Sequence, residues 1–248
     1  MLPTDTYVYW DMAAMPPALR QLLLDGGDIS PQAVRNALPA LHVALPIGTN
    51  AHVLTREGLL SVSACAALRA AIDARVSVER DTVDGAADYQ LNLSVDELVA
   101  LVGAESVAAI LAVGRELDLT SGGSGRRPLP LVEAFVRRYS PETRPWHAFH
   151  QDRAAVTVNV AISDDLSHGG GRLIGLFPNG ATTFEREAGT ATVHLSRTVH
   201  GVSRITYGSR YSLICFLGEP PAVRRELVRV EDEDGVVSDE WSRIIVEP

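Results

Sequence analysis

Residues 146–162 read WHAFHQDRAAVTVNVAI, and the second half of this stretch decides the fold class that the sequence predicts. Small or polar side chains alternate there with branched apolar ones. In an extended strand, alternate side chains share a face. We therefore expect the branched apolar residues to pack against the core. The other face is expected to line a cavity, and it carries Ala155, Thr157, Asn159 and Ala161.

The same period of two recurs through the second half of the chain. Turns rich in Gly, Pro, Asn and Asp separate the predicted strands, which cover residues 131–139, 154–162, 171–177, 190–195 and 210–217. Several short strands at this spacing predict a mainly β protein with flanking helices, whose core is a sandwich or jelly roll.

The first half is predicted to be mainly helical. Ser30 followed by Pro31 is typical of an N-cap with proline at the first helical position. Ser94 and Glu97 form the pattern of a capping box. A further helix is expected over residues 64–76, because apolar residues recur there with helical spacing.

A Gly- and Ser-rich run at residues 120–125 marks the change of period. It predicts a helical N-terminal support region over residues 1–125, a β core over 126–220 and a C-terminal extension over 221–248, within one compact domain. The acidic run at residues 231–235 is predicted to be a solvated turn.

Composition excludes several classes of function. All 22 basic residues are Arg, which excludes Schiff-base lysine chemistry and Walker-type nucleotide loops. The net charge of −9 predicts no nucleic-acid partner and no anionic membrane surface as partner. We see no transmembrane or signal segment. Cys65 and Cys215 lack metal-site spacing, so we expect buried, reduced thiols in a cytoplasmic protein.

The pattern that carries chemistry is His150-Gln151-Asp152. On an extended strand the His150 and Asp152 side chains share a face, where a nitrogen and a carboxylate oxygen can bind one metal ion. A third ligand is expected from His194 or from His200, which begins a predicted turn before the last strand. Two His and one carboxylate are the ligand set of non-haem Fe(II) oxygenases. The alternative is a histidine hydrogen-bonded to a nearby carboxylate on a surface strand.

Arg210 and Ser212 share one face of the last predicted strand of the core. A planar guanidinium beside a hydroxyl is suited to binding a carboxylate of a ligand. The alternative is an arginine at a strand edge that pairs with a surface acid.

From Phe135 to Phe216 the chain resembles the catalytic core of the Fe(II)- and 2-oxoglutarate-dependent oxygenases, in particular the prolyl and lysyl hydroxylase type. The resemblance rests on motifs that follow one another in the family's order. They are RYSPE at 138–142, HQD at 150–152, VTVNVA at 156–161, GGGRL at 169–173, the distal His200 and GSRYS at 208–212.

The resemblance implies a double-stranded β-helix core, which is cupin-like, together with Fe(II), 2-oxoglutarate and dioxygen. It implies that the iron ligands are His150, Asp152 and His200. Arg210, assisted by Ser212, would bind the distal carboxylate of 2-oxoglutarate, with Arg172 or Arg204 as the next candidates. The positions that line the co-substrate pocket in the family are matched by Tyr139, Thr157 and Asn159.

The implied reaction couples oxidative decarboxylation of 2-oxoglutarate to hydroxylation of an unactivated C–H bond. Because we see no separate peptide-binding module, we favour a small-molecule substrate, such as a free amino acid or a related metabolite. One alternative is a hydroxylase of prolyl or lysyl side chains in a protein. An alternative of another class is a redox-silent metal-binding or sugar-binding jelly roll. The substrate, the carbon oxidised and the oligomeric state stay open.

The remaining histidines and arginines are expected to have ordinary roles. His147 lies three residues before His150, on the opposite strand face, and is expected to be structural or at the rim. His194 is expected to be a core histidine with satisfied hydrogen bonds, or a neighbour of the metal ligands. No motif includes His42, His52 or His168. Arg153 and Arg172 are expected in surface ion pairs and are weak candidates for binding a substrate carboxylate.

Overall fold

The computed structural model describes residues 15–26, 30–40, 53–74, 77–80, 87–122, 128–177, 180–219, 223–231 and 237–246. The α-helices in these residues all lie in the first half of the chain. They are α1 (Pro17–Asp25), α2 (Pro31–Ala40), α3 (Val62–Ala74), α4 (Val95–Val102) and α5 (Ala104–Thr120).

The predicted helix starts are confirmed by their caps. The Ser30 hydroxyl accepts a hydrogen bond from the backbone N–H of Ala33 at 3.2 Å. Ser94 and Glu97 form the reciprocal capping box before α4. Such caps satisfy N–H groups that have no partner within the helix. The helix predicted over 64–76 begins at Val62, and its last described residue is Ala74.

Fifteen strands occur in the described residues. In chain order they are β1 (Val53–Arg56), β2 (Ser77–Arg80), β3 (Ala87–Leu93), β4 (Leu131–Tyr139), β5 (His147–His150), β6 (Val156–Ala161), β7 (Gly169–Gly170), β8 (Leu173–Phe177), β9 (Gly180–Phe184), β10 (Ala191–Leu195), β11 (Val199–Val202), β12 (Ile205–Tyr207), β13 (Arg210–Leu217), β14 (Val223–Glu231) and β15 (Val237–Val246).

Two antiparallel sheets form the core. The major sheet has the strand order β1-β10-β6-β13-β4-β3-β2, and the minor sheet has the order β5-β11-β8-β9. From β5 to β13 the chain passes back and forth between the two sheets, apart from the β8–β9 hairpin within the minor sheet and the short separate pair of β7 with β12. This is the winding of a jelly roll. The predicted double-stranded β-helix with flanking helices is therefore confirmed.

Helices cover the outer faces of both sheets. On the major sheet, the valines of β6 are fully buried and join one apolar cluster with α3, α4 and α5. On the minor sheet, α1 and α2 pack through Leu19, Leu23 and Val34 against β5 and β8. The alternation at residues 155–162 is thus confirmed, since its apolar face packs on helices and its polar face points between the sheets.

Sequence patterns missed several of the strands. The first half contributes β1, β2 and β3 to the edges of the major sheet. β9 and β12 were not predicted, and β11 occupies the place of the turn that was expected at His200. Each of these strands has three to seven residues, too few for an alternating pattern to stand out from the neighbouring turns.

The C-terminal strands β14 and β15 pair with each other as a separate antiparallel ribbon. Most of the acidic run predicted to be a turn lies outside the described residues. No single helix in the described ranges is long and apolar enough to cross a membrane, and α4 and α5 meet that criterion only as a pair bent by 112°.

Candidate metal centre

Strand pairing in the minor sheet brings the two predicted histidine ligands together. His150 ends β5, and His200 lies directly opposite it on β11. Asp152 lies two residues beyond the end of β5, where its backbone N–H donates to the carbonyl of Ser196 at 2.8 Å. The carboxylate therefore reaches the histidines from a loop and not from the strand on which the sequence analysis placed it.

The three side chains converge on one point. Their potential ligand atoms all lie within 4.8 Å of one another. Nε2 of His150 is 3.4 Å from Oδ1 of Asp152, and Nε2 of His200 is 3.5 Å from Oδ2. All three residues are almost completely buried, with side-chain exposures of 10% or less.

Backbone carbonyls orient both imidazoles. Nδ1–H of His150 donates to the carbonyl of Ala148 at 2.8 Å, and Nδ1–H of His200 donates to that of Thr198 at 3.0 Å. This fixes the tautomer in which the Nε2 lone pair points toward Asp152. Three electron-pair donors that face one another at this spacing fit a divalent transition metal with open positions on its other side.

The electrostatics of the cluster favour the protonation states that ligation needs. Burial lowers the pKa of His200 to about 3, although Asp152 opposes the shift. Burial acts to raise the pKa of Asp152, but the surrounding histidines outweigh it and lower that pKa well below its usual value. The site thus presents a neutral imidazole and an ionised carboxylate at neutral pH.

Thr157 supports Asp152, the carboxylate of the candidate metal site. Its hydroxyl donates to Oδ2 of Asp152 at 2.7 Å and lies 2.9 Å from the hydroxyl of Ser196. From the family resemblance, Thr157 was expected to line the co-substrate pocket. The structure places it, fully buried, behind the carboxylate.

A β-bulge corrects the expectation for His147. On β11 the partners His200 and Val202 are two residues apart, whereas their partners on β5, His150 and His147, are three apart. The extra residue turns His147 onto the face of His150. Its ring centre lies 4.1 Å from that of His150, and the residue is fully buried, so the rim position was wrong.

His194 is the fourth histidine in this row of rings. Its ring centre is 4.6 Å from that of His200, and Nδ1–H donates to the carbonyl of Leu195 at 2.9 Å. Its buried Nε2 has no hydrogen-bond partner in the described part of the chain. His194 is therefore a neighbour of a metal ligand and not a core histidine with satisfied hydrogen bonds.

Arg210 and Tyr139 face each other across the pairing of β13 with β4. The Arg210 guanidinium carbon lies 4.9 Å from the centre of the Tyr139 ring. Arg210 is 1% exposed, and its Nε and Nη2 have no hydrogen-bond partner among the described residues. Ser212 is fully buried on the same strand face, and its hydroxyl has no described partner either. These unused donors, enclosed between the sheets, suit a carboxylate ligand.

Asn159 does not offer its amide oxygen freely to a ligand, because Arg186 occupies it. Nη1 of Arg186 donates to Oδ1 of Asn159 at 3.0 Å and to its backbone carbonyl at 3.2 Å. Arg186 was not predicted to be part of a site. It lies between Glu185 and Glu187, and the three together look like a charged surface segment. In the structure it is 4% exposed.

His168 and Arg172 both contact Asp165. Nε2 of His168 is 3.6 Å from Oδ1 of Asp165, and Nη1 of Arg172 donates to the backbone carbonyls of Asp165 and Gly170. Arg172 therefore holds the chain around Asp165, which differs from the surface ion pair expected for it. A Cβ at Gly171 would lie 3.4 Å from Cδ of Arg210, so the glycine run leaves room for that side chain.

The other candidates are not part of this cluster. Arg153 and Arg204 are exposed. His42 and His52 lie outside the described residues.

Comparison with known proteins identifies the fold. The chain shares its fold with a prolyl-4-hydroxylase of Pseudomonas putida, with a TM-score of 0.52, 21% identity and coverage of 75% of this chain and 98% of that one. The viral collagen prolyl hydroxylase of Paramecium Bursaria Chlorella virus-1, solved with 2-oxoglutarate, matches with a TM-score of 0.50, 16% identity and coverage of 66% and 94%.

Another similar structure is that of the non-haem α-ketoglutarate-dependent carbocyclase SnoK from nogalamycin biosynthesis. Its TM-score is 0.50 at 12% identity, over 80% of this chain and 89% of that one. No protein-family model matches the chain, and no curated protein matches it. The fold is that of the Fe(II)- and 2-oxoglutarate-dependent oxygenases, and within it the chain carries the His-x-Asp…His triad that suits iron.

Proposed function

We propose that this protein is an Fe(II)- and 2-oxoglutarate-dependent dioxygenase that hydroxylates an unactivated C–H bond of a small molecule. The observation that carries the proposal is the convergence of His150, Asp152 and His200 inside a jelly roll that also encloses the unused donors of Arg210. A metal site and a carboxylate site in one enclosed space are what a metal-chelating 2-oxoacid requires.

Bound iron with 2-oxoglutarate supplies the oxidising power, so that 2-oxoglutarate, dioxygen and the substrate C–H bond yield succinate, carbon dioxide and the C–OH product. The protein's part is to position and enclose the reactants. His150, Asp152 and His200 would hold the metal and would leave it coordination positions for the reactants. Arg210 binds the distal carboxylate and thereby orients the keto acid.

A small cavity beside His200 supports a small substrate. It is bounded by Thr192, Thr198 and His194, and its other walls are largely apolar, formed by Val53, Leu173, Gly175, Phe177 and Phe184. The recess has room for about one water-sized group, such as a methyl, and its apolar walls keep bulk water from this side of His200. A small metabolite, such as a free amino acid, presents such a group without an attached peptide chain.

Succinate release tests the proposal. The Fe(II)-loaded protein is given 2-oxoglutarate and oxygen together with single members of an amino-acid and metabolite library, and with a proline-containing peptide as a separate arm. We expect succinate to rise with one class of small molecule and a product heavier by one oxygen atom to appear. A rise with the peptide alone would favour the protein hydroxylase. No succinate in any arm would favour the redox-silent jelly roll.

A further inference from the structure

Arg186 combines complete burial with unused hydrogen-bond donors. Its Nη1 is held by Asn159, while Nε and Nη2 have no hydrogen-bond partner in the described ranges. Its backbone N–H donates to Oδ2 of Asp165 at 3.0 Å, and its Nε lies 3.8 Å from the same oxygen. The guanidinium is thus fixed from two sides and keeps further donors for a third group.

Arg186 and Arg210 are two like charges that both act on the carboxylate of Asp165. Burial lowers the pKa of Arg186 to about 10, and the charge of Arg210 adds to that shift. Burial acts to raise the pKa of Asp165, but His168, Arg186 and Arg210 outweigh it and lower that pKa. One ionised carboxylate between two buried guanidinium groups leaves an excess of positive charge, which a bound anion would balance.

The contacts of Arg186 place this excess charge on the inner side of the major sheet. Asn159 lies on the inner face of β6, next to Thr192 of β10 in the strand pairing. Thr157, two residues earlier on the same face, contacts the metal ligand Asp152. Arg186 therefore reaches the enclosed space between the metal ligands and Arg210.

We propose that Arg186 is a second guanidinium that binds the distal carboxylate of 2-oxoglutarate together with Arg210. Asn159 and Asp165 act as the residues that position it. This inference rests on the proposed function, and it extends that function by assigning selectivity for dicarboxylic 2-oxoacids to two arginines instead of one. Two forks around one carboxylate saturate its oxygen lone pairs, which a single guanidinium does not.

A matched pair of ligands tests this role. The Fe(II)-loaded protein is titrated calorimetrically without oxygen, once with 2-oxoglutarate and once with 2-oxopentanoate, which has the same five carbons but no distal carboxylate. For Arg186→Met we expect 2-oxoglutarate to bind about 10- to 100-fold more weakly. Binding of 2-oxopentanoate should stay within about twofold of wild type, because it makes no contact with the guanidinium.

Three further variants complete the experiment. Arg204→Met, which removes an exposed arginine, should change neither affinity. Arg210→Met should weaken the binding of 2-oxoglutarate at least as much as Arg186→Met does. Arg186→Lys keeps the positive charge but loses the bidentate geometry of the guanidinium. It should bind 2-oxoglutarate somewhat more weakly and 2-oxopentanoate as wild type does. This variant tests the inference if Arg186→Met does not fold.

The outcomes separate this inference from the proposed function. If the Arg186 variants bind 2-oxoglutarate and 2-oxopentanoate equally more weakly than wild type, Arg186 is structural. If their affinity for 2-oxoglutarate is unchanged, Arg186 does not belong to the co-substrate pocket. Either result overturns the inference while the proposed function stands. If the wild-type protein binds no 2-oxoglutarate at all, the proposed function itself fails.

Discussion

The hydroxyl of Thr157 donates a 2.7 Å hydrogen bond to Oδ2 of Asp152, the carboxylate of the candidate triad. This contact fixes the orientation of a ligand that comes from a loop. Partners behind metal ligands typically change metal affinity by about 10- to 100-fold when they are removed. We predict a loss of this size in Fe(II) affinity for Thr157→Val, which keeps the shape of the side chain but not its hydroxyl.

Thr192→Val is the matched control for that prediction. Thr192 is also fully buried on the inner face of the major sheet, but its hydroxyl has no hydrogen-bond partner in the described residues. The Fe(II) affinity of the Thr192→Val variant should therefore stay within about twofold of wild type. Competition with a chelating dye under argon measures both variants, and equal affinities for the two would show that the Thr157 contact does not support the metal.

Arg210 should govern binding of the co-substrate and leave metal binding nearly unchanged. Removing a guanidinium from a buried carboxylate contact costs about 2 to 5 kcal/mol, or roughly 30-fold to several thousand-fold in affinity. We expect this loss in 2-oxoglutarate binding for Arg210→Met, partial recovery for Arg210→Lys, and Fe(II) affinity close to wild type in both.

Separate anaerobic titrations with Fe(II) and with 2-oxoglutarate decide the role of Arg210. If 2-oxoglutarate affinity were unchanged, the carboxylate would bind elsewhere. The structure makes Arg186 the next candidate, because Arg172 is engaged with backbone carbonyls and Arg204 is exposed.

Sequence patterns sufficed to predict the jelly roll, five of its strands to within two residues, and His150 and Asp152 of the candidate triad. Each of these features is encoded within a short stretch of sequence. The signals are apolar and polar side chains that alternate over five or more residues, capping residues at the helix starts, and a His-x-Asp pair. His200 came from the family resemblance, because spacing alone left His194 open as the third ligand. Strands β4 and β13 match their predicted bounds because each has a long run of alternating side chains and clear turns at both ends.

Features that depend on strand register could not be predicted. The bulge that turns His147 toward His150 arises from the pairing of β5 with β11, which no single stretch of sequence encodes. Arg186 was missed because its neighbours Glu185 and Glu187 indicate a solvated segment. Only the packing of that segment against β6 shows that the arginine is buried.

Gly170 is predicted to be intolerant of a side chain. Its φ is 66°, and a Cβ would lie 1.9 Å from the backbone oxygen of Arg204. At Gly58, φ is 61° but no atom lies within 4 Å of the Cβ position. Gly58→Ala should cost about 1 kcal/mol for backbone strain alone, and Gly170→Ala about 3 kcal/mol or more because overpacking adds to it.

Denaturant unfolding of the two glycine variants measures that difference. Equal losses in the free energy of unfolding would show that the chain near Arg204 moves aside without cost. The comparison bears on the site, because Gly171, the next residue, lies against Arg210.

The two cysteines are predicted to be unreactive in the folded protein. Both are buried free thiols, and burial raises the pKa of Cys215 to about 12 and also raises that of Cys65. Since the thiolate is the reactive form, iodoacetamide at pH 8 should leave the native mass unchanged and add two groups in denaturant. A native adduct at either position would contradict its burial.

The raised pKa of Cys215 also affects how the stability of the fold depends on pH. A thiol whose pKa is raised by folding stabilises the fold below the pH at which it ionises in the unfolded chain. That contribution is lost as the pH rises from there toward 12, the folded value for Cys215. Cys215→Ala should therefore reduce the fall in unfolding free energy above pH 9, as followed by urea unfolding at several pH values.

Calorimetric titration of 2-oxoglutarate into the protein without oxygen, with and without Fe(II), tests the central claim most directly. Asp152→Ala and the remote control Asp118→Asn on α5 are measured alongside wild type. The account predicts binding of one 2-oxoglutarate per chain that depends on iron in the wild type and in Asp118→Asn, and that is lost in Asp152→Ala while the protein stays folded. Wild-type protein that binds iron but no 2-oxoglutarate, or an Asp152→Ala variant that binds both as wild type does, would contradict it.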